Sequence, residues 1–296
     1  MKKPAITVVG SLNMDLVTLT DRFPEQGETV LGKEFFTVPG GKGANQAVAA
    51  SRLGAEVKLV GRIGNDPFGE VLKETMEKNG VFLTDVKPVT DVASGVATII
   101  LSESDNRIIV TPGANNFVTK EYVESYKEVI LSSDMVLLQM EIPLATIIYV
   151  VELCHANNVP VILNPAPAQK LDEGIWHKVT YLTPNETEKE VLFGNNLNQA
   201  LREKLIITEG KRGATYFKSD KSYRIKGFPV QPVDTTGAGD TFNGALAVAF
   251  AEGQDLKKAV TFANAAAAIS VLKRGAQGGM PNRPELDHFL NEREIL

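Results

Sequence analysis

Cysteine is almost absent. The single Cys154 among 296 residues excludes an intrachain disulfide and fits a reducing compartment. It lies in an apolar helical stretch and reads as a packed core thiol. Histidine is scarce too: His155, His177 and His288 show no metal-ligand spacing. Runs of like charge, a basic stripe and aromatic–basic interleaving are all missing, and the net charge is −5 from 31 basic and 36 acidic residues. Nucleic acid and anionic membrane surfaces are therefore not expected as partners. Long apolar runs are lacking as well. Met1-Lys2-Lys3-Pro4 leads directly into Ala5 to Val9, which is too short and too strand-like for a signal peptide or a membrane span. A cytoplasmic location is the expectation. With no internal repeat, low-complexity segment or long linker, residues 1–296 read as a single domain.

What the chain does have is alternation. Ile6 to Val9, Val57 to Val60, Met135 to Leu138, Val159 to Leu163, Thr180 to Leu182 and Leu205 to Thr208 read as short buried strands. Helical patterns fall between them, over Ala44 to Leu53, Pro67 to Asn79 and about Pro143 to Asn157. This predicts an α/β fold with a central, largely parallel sheet. The last third adds two packed helices, one opening at Asp240 and one over about Leu256 to Leu272. Four further segments, Leu16 to Leu19, Glu34 to Val38, Gly95 to Leu101 and Arg107 to Val110, are strand-like with polar turns, one of them Ser102 to Asn106. They read as a small antiparallel sheet standing off the main body as a lid, or as extra edge strands on the core sheet. Gly194 to Asn198 reads as a surface loop.

The most informative run is Asp234-Thr235-Thr236-Gly237-Ala238-Gly239-Asp240. It is followed by Phe242, Ala245, Leu246, Ala249 and Phe250 at helical spacing. Gly237, Ala238, Gly239 and Asp240 thus occupy a helix N-terminus, where unpaired N–H groups and the positive dipole end favour an anion. A carboxylate beside a phosphate site serves passive binding poorly. It makes sense as a base that takes a proton from an attacking hydroxyl. The alternative is a glycine turn with Asp240 as a simple cap.

A second cluster, Pro39-Gly40-Gly41-Lys42-Gly43-Ala44-Asn45-Gln46, opens another helix and offers backbone N–H groups, the Lys42 ammonium and the Asn45 amide to a polyhydroxylated ligand. Neither it nor Gly27 to Lys33 fits the phosphate-loop pattern, since Glu34 and Gly43 stand where the hydroxyl belongs. Asn13 and Asp15 follow the first strand, and Glu141 follows the strand at Met135, where open α/β sheets place ligands. Asn185 and Glu188 share one helix turn and read either as oxygen ligands for Mg²⁺ or as a capping arrangement. Thr208-Glu209-Gly210-Lys211-Arg212-Gly213 is a turn suited to nucleotide phosphates or ribose, or an ordinary exposed turn.

In this order, Gly40 to Asn45, Asn185-x-x-Glu188 and Asp234 to Asp240 resemble the motifs of the ribokinase family of sugar kinases, also called the phosphofructokinase-B family. Gly10 to Asp15, Asn164 to Ala168 and Gly275 to Gly279 extend the resemblance over nearly the whole chain. The stretch between Glu188 and Leu205 is shorter than in longer members. The resemblance implies a ribokinase-like three-layer α/β sandwich with a central mostly parallel sheet and a small antiparallel β lid. It implies ATP-dependent phosphorylation of a sugar CH₂OH group, the 5-hydroxyl of D-ribose. Asn13, Asp15, Gly41, Lys42, Gly43, Asn45 and Glu141 would hold the sugar. Asp240 would be the base and would also touch the sugar, the amides of Ala238, Gly239 and Asp240 would form the anion hole, and Gly237 would belong to the same catalytic turn. Asn185, Thr208, Glu209, Gly210, Lys211, Arg212, Gly213, Gly239 and Asn264 would hold ATP. Glu188 would organise Mg²⁺ through water, and Asp234, Thr236, Ser270, Lys273, Gly275 and Gly279 would surround K⁺. A homodimer through the lid is implied. Two alternatives remain open at this level: a kinase of the same family acting on deoxyribose, another sugar or a nucleoside, and a non-catalytic sugar sensor.

Overall fold

A computed structural model describes residues 3–83, 86–102, 105–194 and 197–293. In chain order the elements are β1 (Ala5–Val9), β2 (Asn13–Leu19), β3 (Glu34–Gly40), α1 (Lys42–Arg52), β4 (Glu56–Gly64), α2 (Pro67–Lys78), β5 (Val86–Val89), β6 (Gly95–Ser102) and β7 (Asp105–Thr111). There follow α3 (Lys120–Glu124), α4 (Lys127–Leu131), β8 (Met135–Gln139), α5 (Leu144–Ala156), β9 (Val161–Asn164), α6 (Glu173–Trp176), β10 (Tyr181–Leu182), α7 (Glu186–Phe193), α8 (Gln199–Arg202) and β11 (Ile206–Thr208). The chain ends with β12 (Gly213–Lys218), β13 (Lys221–Lys226), α9 (Ala238–Ala251), α10 (Leu256–Ser270) and α11 (Arg283–Asn291).

The central sheet has the order β10-β9-β8-β1-β4-β5, and every pairing in it is parallel. Alternation along the strands divides the core. Ile6, Val8, Val57, Leu59, Leu137 and Ile162 pack with α1, α9 and α10 on one face. Val9, Val60, Val136, Leu138, Val161 and Leu163 pack with α5 on the other. This is the expected three-layer sandwich, and both glycine-led helices, α1 and α9, lie on the same face.

Local chemistry sets the boundaries. Asp66 caps α2 by accepting from Gly69 N at 2.8 Å, with Pro67 in the first turn. Asp255 caps α10 in the same way through Lys258 N at 2.9 Å.

Three expectations are corrected. The segment near Leu205 does not join the parallel sheet as a full strand. Its β11 starts a separate sheet, β11-β12-β13, that is antiparallel throughout and meets β10 only at the Leu182–Leu205 bridge. The β12–β13 hairpin escaped the sequence reading because its turn is Ser219-Asp220, both left-handed at φ 48° and 62°, without a glycine. The last third also carries a third helix, α11, entered through an Asn282–Glu285 capping box. Finally, the lid is a separate four-stranded sheet of order β3-β2-β6-β7. Its two outer pairings are antiparallel as expected, but its central pair, β2 with β6, runs parallel. In the Ser102–Asn106 turn, Glu103 and Ser104 lie outside the described residues, as do Asn195 and Asn196 of the Gly194–Asn198 loop. Among the described residues no helix is long and apolar enough to cross a membrane.

Candidate active site

The site forms where the ends of β1 and β8 meet the N-termini of α1 and α9. Helix α1 has no side-chain cap of its own. Its first N–H groups are satisfied instead from the segments that follow β1 and β8. Lys42 N donates to Glu141 Oε2 at 3.0 Å, Gly43 N to Ser11 Oγ at 3.2 Å and Ala44 N to Ser11 O at 2.9 Å. Ser11 Oγ in turn donates to Glu141 Oε2 at 2.6 Å. Gly41 sits at φ 89°, and a Cβ there would come within 2.6 Å of Asn13 N. The glycine therefore serves close helix-to-strand approach. Asn13 and Asp15 follow β1, as expected, and stand at the start of β2, the first lid strand, which begins at Asn13 rather than at Leu16. Asn13 Oδ1 accepts from Asn115 Nδ2 at 2.7 Å. A cavity of about 360 Å³ lies between lid and body, lined by Asn13, Val110, Asn115, Met140, Glu141 and Ile142. That is within the usual ~300–1,000 Å³ of small-molecule sites.

On the other side of α1 stands Asp240. Gly237 caps α9 in the left-handed conformation at φ 76°, pressed so close to Ala276 that a Cβ would come within 2.6 Å of Ala276 O. Asp240, in the first turn, is buried. Its Oδ2 accepts from Asn45 Nδ2 at 2.9 Å and its Oδ1 from Gln46 Nε2 at 3.1 Å. Burial raises the Asp240 pKa, and the lowering effects of Lys42, Asn45 and Gln46 do not fully offset it. Asp15 is pushed up to about 7, by burial first and then by Glu141 and Asp240, against the pull of Lys42. Burial alone would lower Lys42, but Asp240, Glu141, Glu188 and Asp15 together raise it. Four carboxylates thus share one ammonium, an arrangement that draws a proton or a further cation.

Asn185 and Glu188 form a reciprocal capping box on α7, with Glu188 N donating to Asn185 Oδ1 and Asn185 N to Glu188 Oε2, each at 2.8 Å. Glu188 nonetheless feels both Lys42 and Asp240, and burial raises its pKa. Thr208 abuts Asn185, and the turn from Glu209 to Gly213 follows it. Within that turn Arg212 pairs with Glu186, and Glu209 pairs with Arg224. Asn264 Nδ2 donates to Ile225 O at 3.1 Å, which places it behind the same turn.

Asp234 joins two loops. Its Oδ1 accepts from Thr236 N at 2.9 Å and Thr236 Oγ1 at 2.7 Å, and its Oδ2 from Gly275 N at 2.8 Å. Burial alone would raise its pKa, but these bonds and Arg274 hold it below the ordinary carboxylate value. Gly279 lies against the carbonyl of Ser270, and Lys273 is exposed on the connecting loop. Among the described residues no cluster of three His, Cys, Asp or Glu side chains is arranged around a metal position.

The structure thus gathers the residues from both glycine motifs, Asn13, Asp15 and Glu141 around one cleft, with the Asn185 and Thr208 segments and the Asp234 loops at its margins. Sequence reasoning missed Ser11, Gln46, Asn115, Gln139, Asn164, Asn243 and Gln277 as site residues. Asn164 Nδ2 donates to Thr183 O at 3.1 Å, Thr183 Oγ1 to Asn243 Oδ1 at 2.6 Å, and Asn243 Nδ2 to Gly239 O at 2.9 Å. The available signal was an uncharged amide standing in an otherwise apolar run, as in Met135-Val136-Leu137-Leu138-Gln139.

The family model for pfkB family carbohydrate kinases matches residues 3–283. The chain belongs to the pfkB family of carbohydrate kinases. A ribokinase of Bacillus subtilis is 51% identical over 290 residues, covering 97% of this chain and 99% of that protein. The ribokinase structure from Thermotoga maritima superposes with a TM-score of 0.87 at 40% identity, covering 97% and 99% of the two chains. The Arabidopsis thaliana ribokinase complexed with ribose and ATP superposes at 0.88 with 32% identity, covering 98% and 99%. Carbohydrate kinases transfer a phosphoryl group to a hydroxyl, a reaction in which a buried acidic residue at a helix start has a chemical use.

Proposed function

We propose that the chain transfers the γ-phosphoryl group of ATP to the 5-hydroxyl of D-ribose. The observation that carries this reading is Asp240: a buried carboxylate at the start of α9, held on both oxygens by Asn45 and Gln46. The Arabidopsis relative, crystallised with ribose and ATP, supports the choice of both substrates. Sugar hydroxyls would be held in the cleft by Asn13, Asp15, Gly41, Lys42, Gly43, Asn45 and Glu141. Asp240 takes the proton from the attacking hydroxyl, and the N–H groups of Gly239 and Asp240 would face the phosphoryl oxygens, with the Ala238 N–H beside them donating to Thr235 O at 3.3 Å. Lys42, whose ammonium lies among Asp240, Glu141, Glu188 and Asp15, would meet a transferring phosphoryl group. Asn185, the turn Thr208 to Gly213 and Asn264 would receive the nucleotide.

Mg²⁺ and K⁺ are part of the same reading. When bound, Mg²⁺ offsets charge on the phosphate oxygens. The excess of carboxylates fits a cation, and Glu188 is the residue expected to reach it through water, as this ion keeps several waters. Asp234, Thr236, Ser270, Lys273, Gly275 and Gly279 supply hard oxygens from side chain and main chain, which suits K⁺. Their position behind Gly237 lets them set the geometry of the helix start.

A single kinase domain with a lid, acting in the cytoplasm as a homodimer, completes the proposal. Phe35, Phe36, Ile108, Ile109 and Val110 are exposed on the outer lid strands. Five large apolar side chains on one small sheet support pairing with a second lid. ADP release measured across D-ribose, 2-deoxyribose, a ketohexose and a nucleoside tests the reading. Ribose giving the highest kcat/KM is the expected result. A preference for another acceptor would reassign the substrate, and no turnover with any of them would favour a sensor.

A further inference from the structure

Beneath Asp240 lies a second layer of amides, of which the mechanism above uses only the Gln46 contact. Gln46, on α1, is completely buried. Its Nε2 donates to Asp240 Oδ1 at 3.1 Å and to Asn164 Oδ1 at 3.3 Å. Its Oε1 accepts from Gln139 Nε2 at 2.7 Å. Gln139, the last residue of β8, is completely buried as well, and its own Oε1 has no hydrogen-bond partner among the described residues. That oxygen rests over Gly10, where a Cβ would overlap it.

These contacts allow the Gln46 carboxamide one orientation. If it were reversed, its oxygen would face the Asp240 carboxylate and its N–H groups would face the N–H of Gln139. Donor would meet donor and acceptor would meet acceptor. Gln139 is also a poor choice for stability alone, because it leaves a buried acceptor unpaired in an apolar strand. A leucine or methionine there would carry no such penalty. The glycine at position 10 provides the room that keeps the amide in place.

We propose that Gln139 and Gln46 are positioning residues for Asp240: Gln139 locks the Gln46 carboxamide so that its N–H always points at the carboxylate. The lock does two things. It aims the carboxylate, leaving its remaining lone pairs toward the sugar hydroxyl. It also supplies a donor that favours the ionised form in a crowded acidic setting. The charged groups facing Asp240 are Lys42 on α1, Glu141 after β8, Glu188 on α7 and Asp15 on β2. With Lys42 the only cation among them, loss of one amide donor shifts the carboxylate toward its protonated form.

The inference rests on Asp240 as the base, and the test separates the two. Gln139→Leu is assayed with the best acceptor sugar and ATP. Its kcat falls roughly 10- to 100-fold, the worth of the Gln46 hydrogen bond to the charged Asp240, while the sugar KM stays near the wild-type value. The acid limb of its kcat/KM profile moves to higher pH, and its melting temperature is unchanged or higher. Gln139→Met, which keeps the side-chain length, behaves the same way and covers a folding failure of the leucine variant. In an Asp240→Asn background, Gln139→Leu has no further effect. Near-wild-type turnover of Asp240→Asn would overturn both readings. Loss of turnover in Asp240→Asn, with wild-type kcat and pH profile in the folded Gln139 variants, would overturn the amide lock alone. Failure of both Gln139 variants to fold would mark the residue as structural and overturn it too.

Discussion

The side-chain amide of Asn45 donates to Asp240 at 2.9 Å, so the two glycine motifs meet in one hydrogen bond. The same amide accepts from Gln277 Nε2 at 3.0 Å. Gln277 is fixed in turn by Arg52 at the far end of α1, whose guanidinium donates to Gln277 O at 2.6 Å and Met280 O at 3.0 Å. Sugar side, base and the loop near Gly275 are therefore one mechanical unit, and each of its parts has a measurable role.

Asp240→Asn removes the proposed base and keeps the shape. Sugar binding should persist while turnover falls by roughly 10²- to 10⁴-fold, the usual worth of a positioned base. Calorimetric titration with ribose and a steady-state assay read the two separately. Turnover close to wild type would reject the role. Because the Asp240 pKa is raised and the base must be ionised, wild-type kcat/KM should fall on the acid side at a higher pH than an ordinary aspartate would give.

Asp15 links pH to stability. Its pKa is raised from 3.8 to about 7, so between those values the folded chain holds more protons than the unfolded one. Stability from this group is complete below the lower value and is lost as pH rises to the upper one. Asp15→Asn should remove that slope and melt higher than wild type at pH 8, by about 1.5–2 °C for each kcal/mol released in a chain of 296 residues. It should also weaken sugar binding. Parallel pH-dependent melting curves for the two proteins would count against it.

Asp234 is the tie between the Thr236 and Gly275 backbones. Turnover should rise when K⁺ replaces Na⁺ as the only monovalent cation, with NH₄⁺ excluded. K⁺ should also raise the melting temperature by mass action. Asp234→Ala should abolish both responses. Equal rates in the two salts would remove K⁺ from the proposal.

Glu188 separates capping from cation binding. Glu188→Gln keeps an acceptor for the Asn185 N–H, so the capping box and the melting temperature should be preserved. Losing the charge should raise the Mg²⁺ concentration needed for half-maximal rate. An unchanged Mg²⁺ titration would leave Glu188 as a cap only.

Ile109 is 66% exposed and Phe35 63% exposed, on opposite edge strands of the lid. Ile109→Lys should shift sedimentation from dimer to monomer without altering the melting of the main body. A wild-type chain that sediments as a monomer would remove the lid interface.

Much of this was legible in the sequence. The parallel core announced itself through short β-branched runs separated by helical patterns. Asp234 to Asp240 exposed the helix start because glycines and a carboxylate are rarely placed there together for packing. What stayed hidden depended on distant partners. The parallel pairing of Asn13 with Gly95 joins strands with no local turn between them. The β12–β13 hairpin is polar on its exposed strand Lys221–Lys226 and turns without glycine. Gln46 and Gln139 went unread, because an amide in an apolar run signals a buried partner without naming the residue it meets.

The bond between Asn45 and Asp240 spans 195 residues. At about 5–20 residues per second of synthesis, roughly 10–40 s separate the two side chains leaving the ribosome. Throughout that interval the sugar-side helix start exists without the groups that complete it. Activity therefore arrives late and all at once, and a nascent chain with its sheet already paired has nothing yet with which to take a proton.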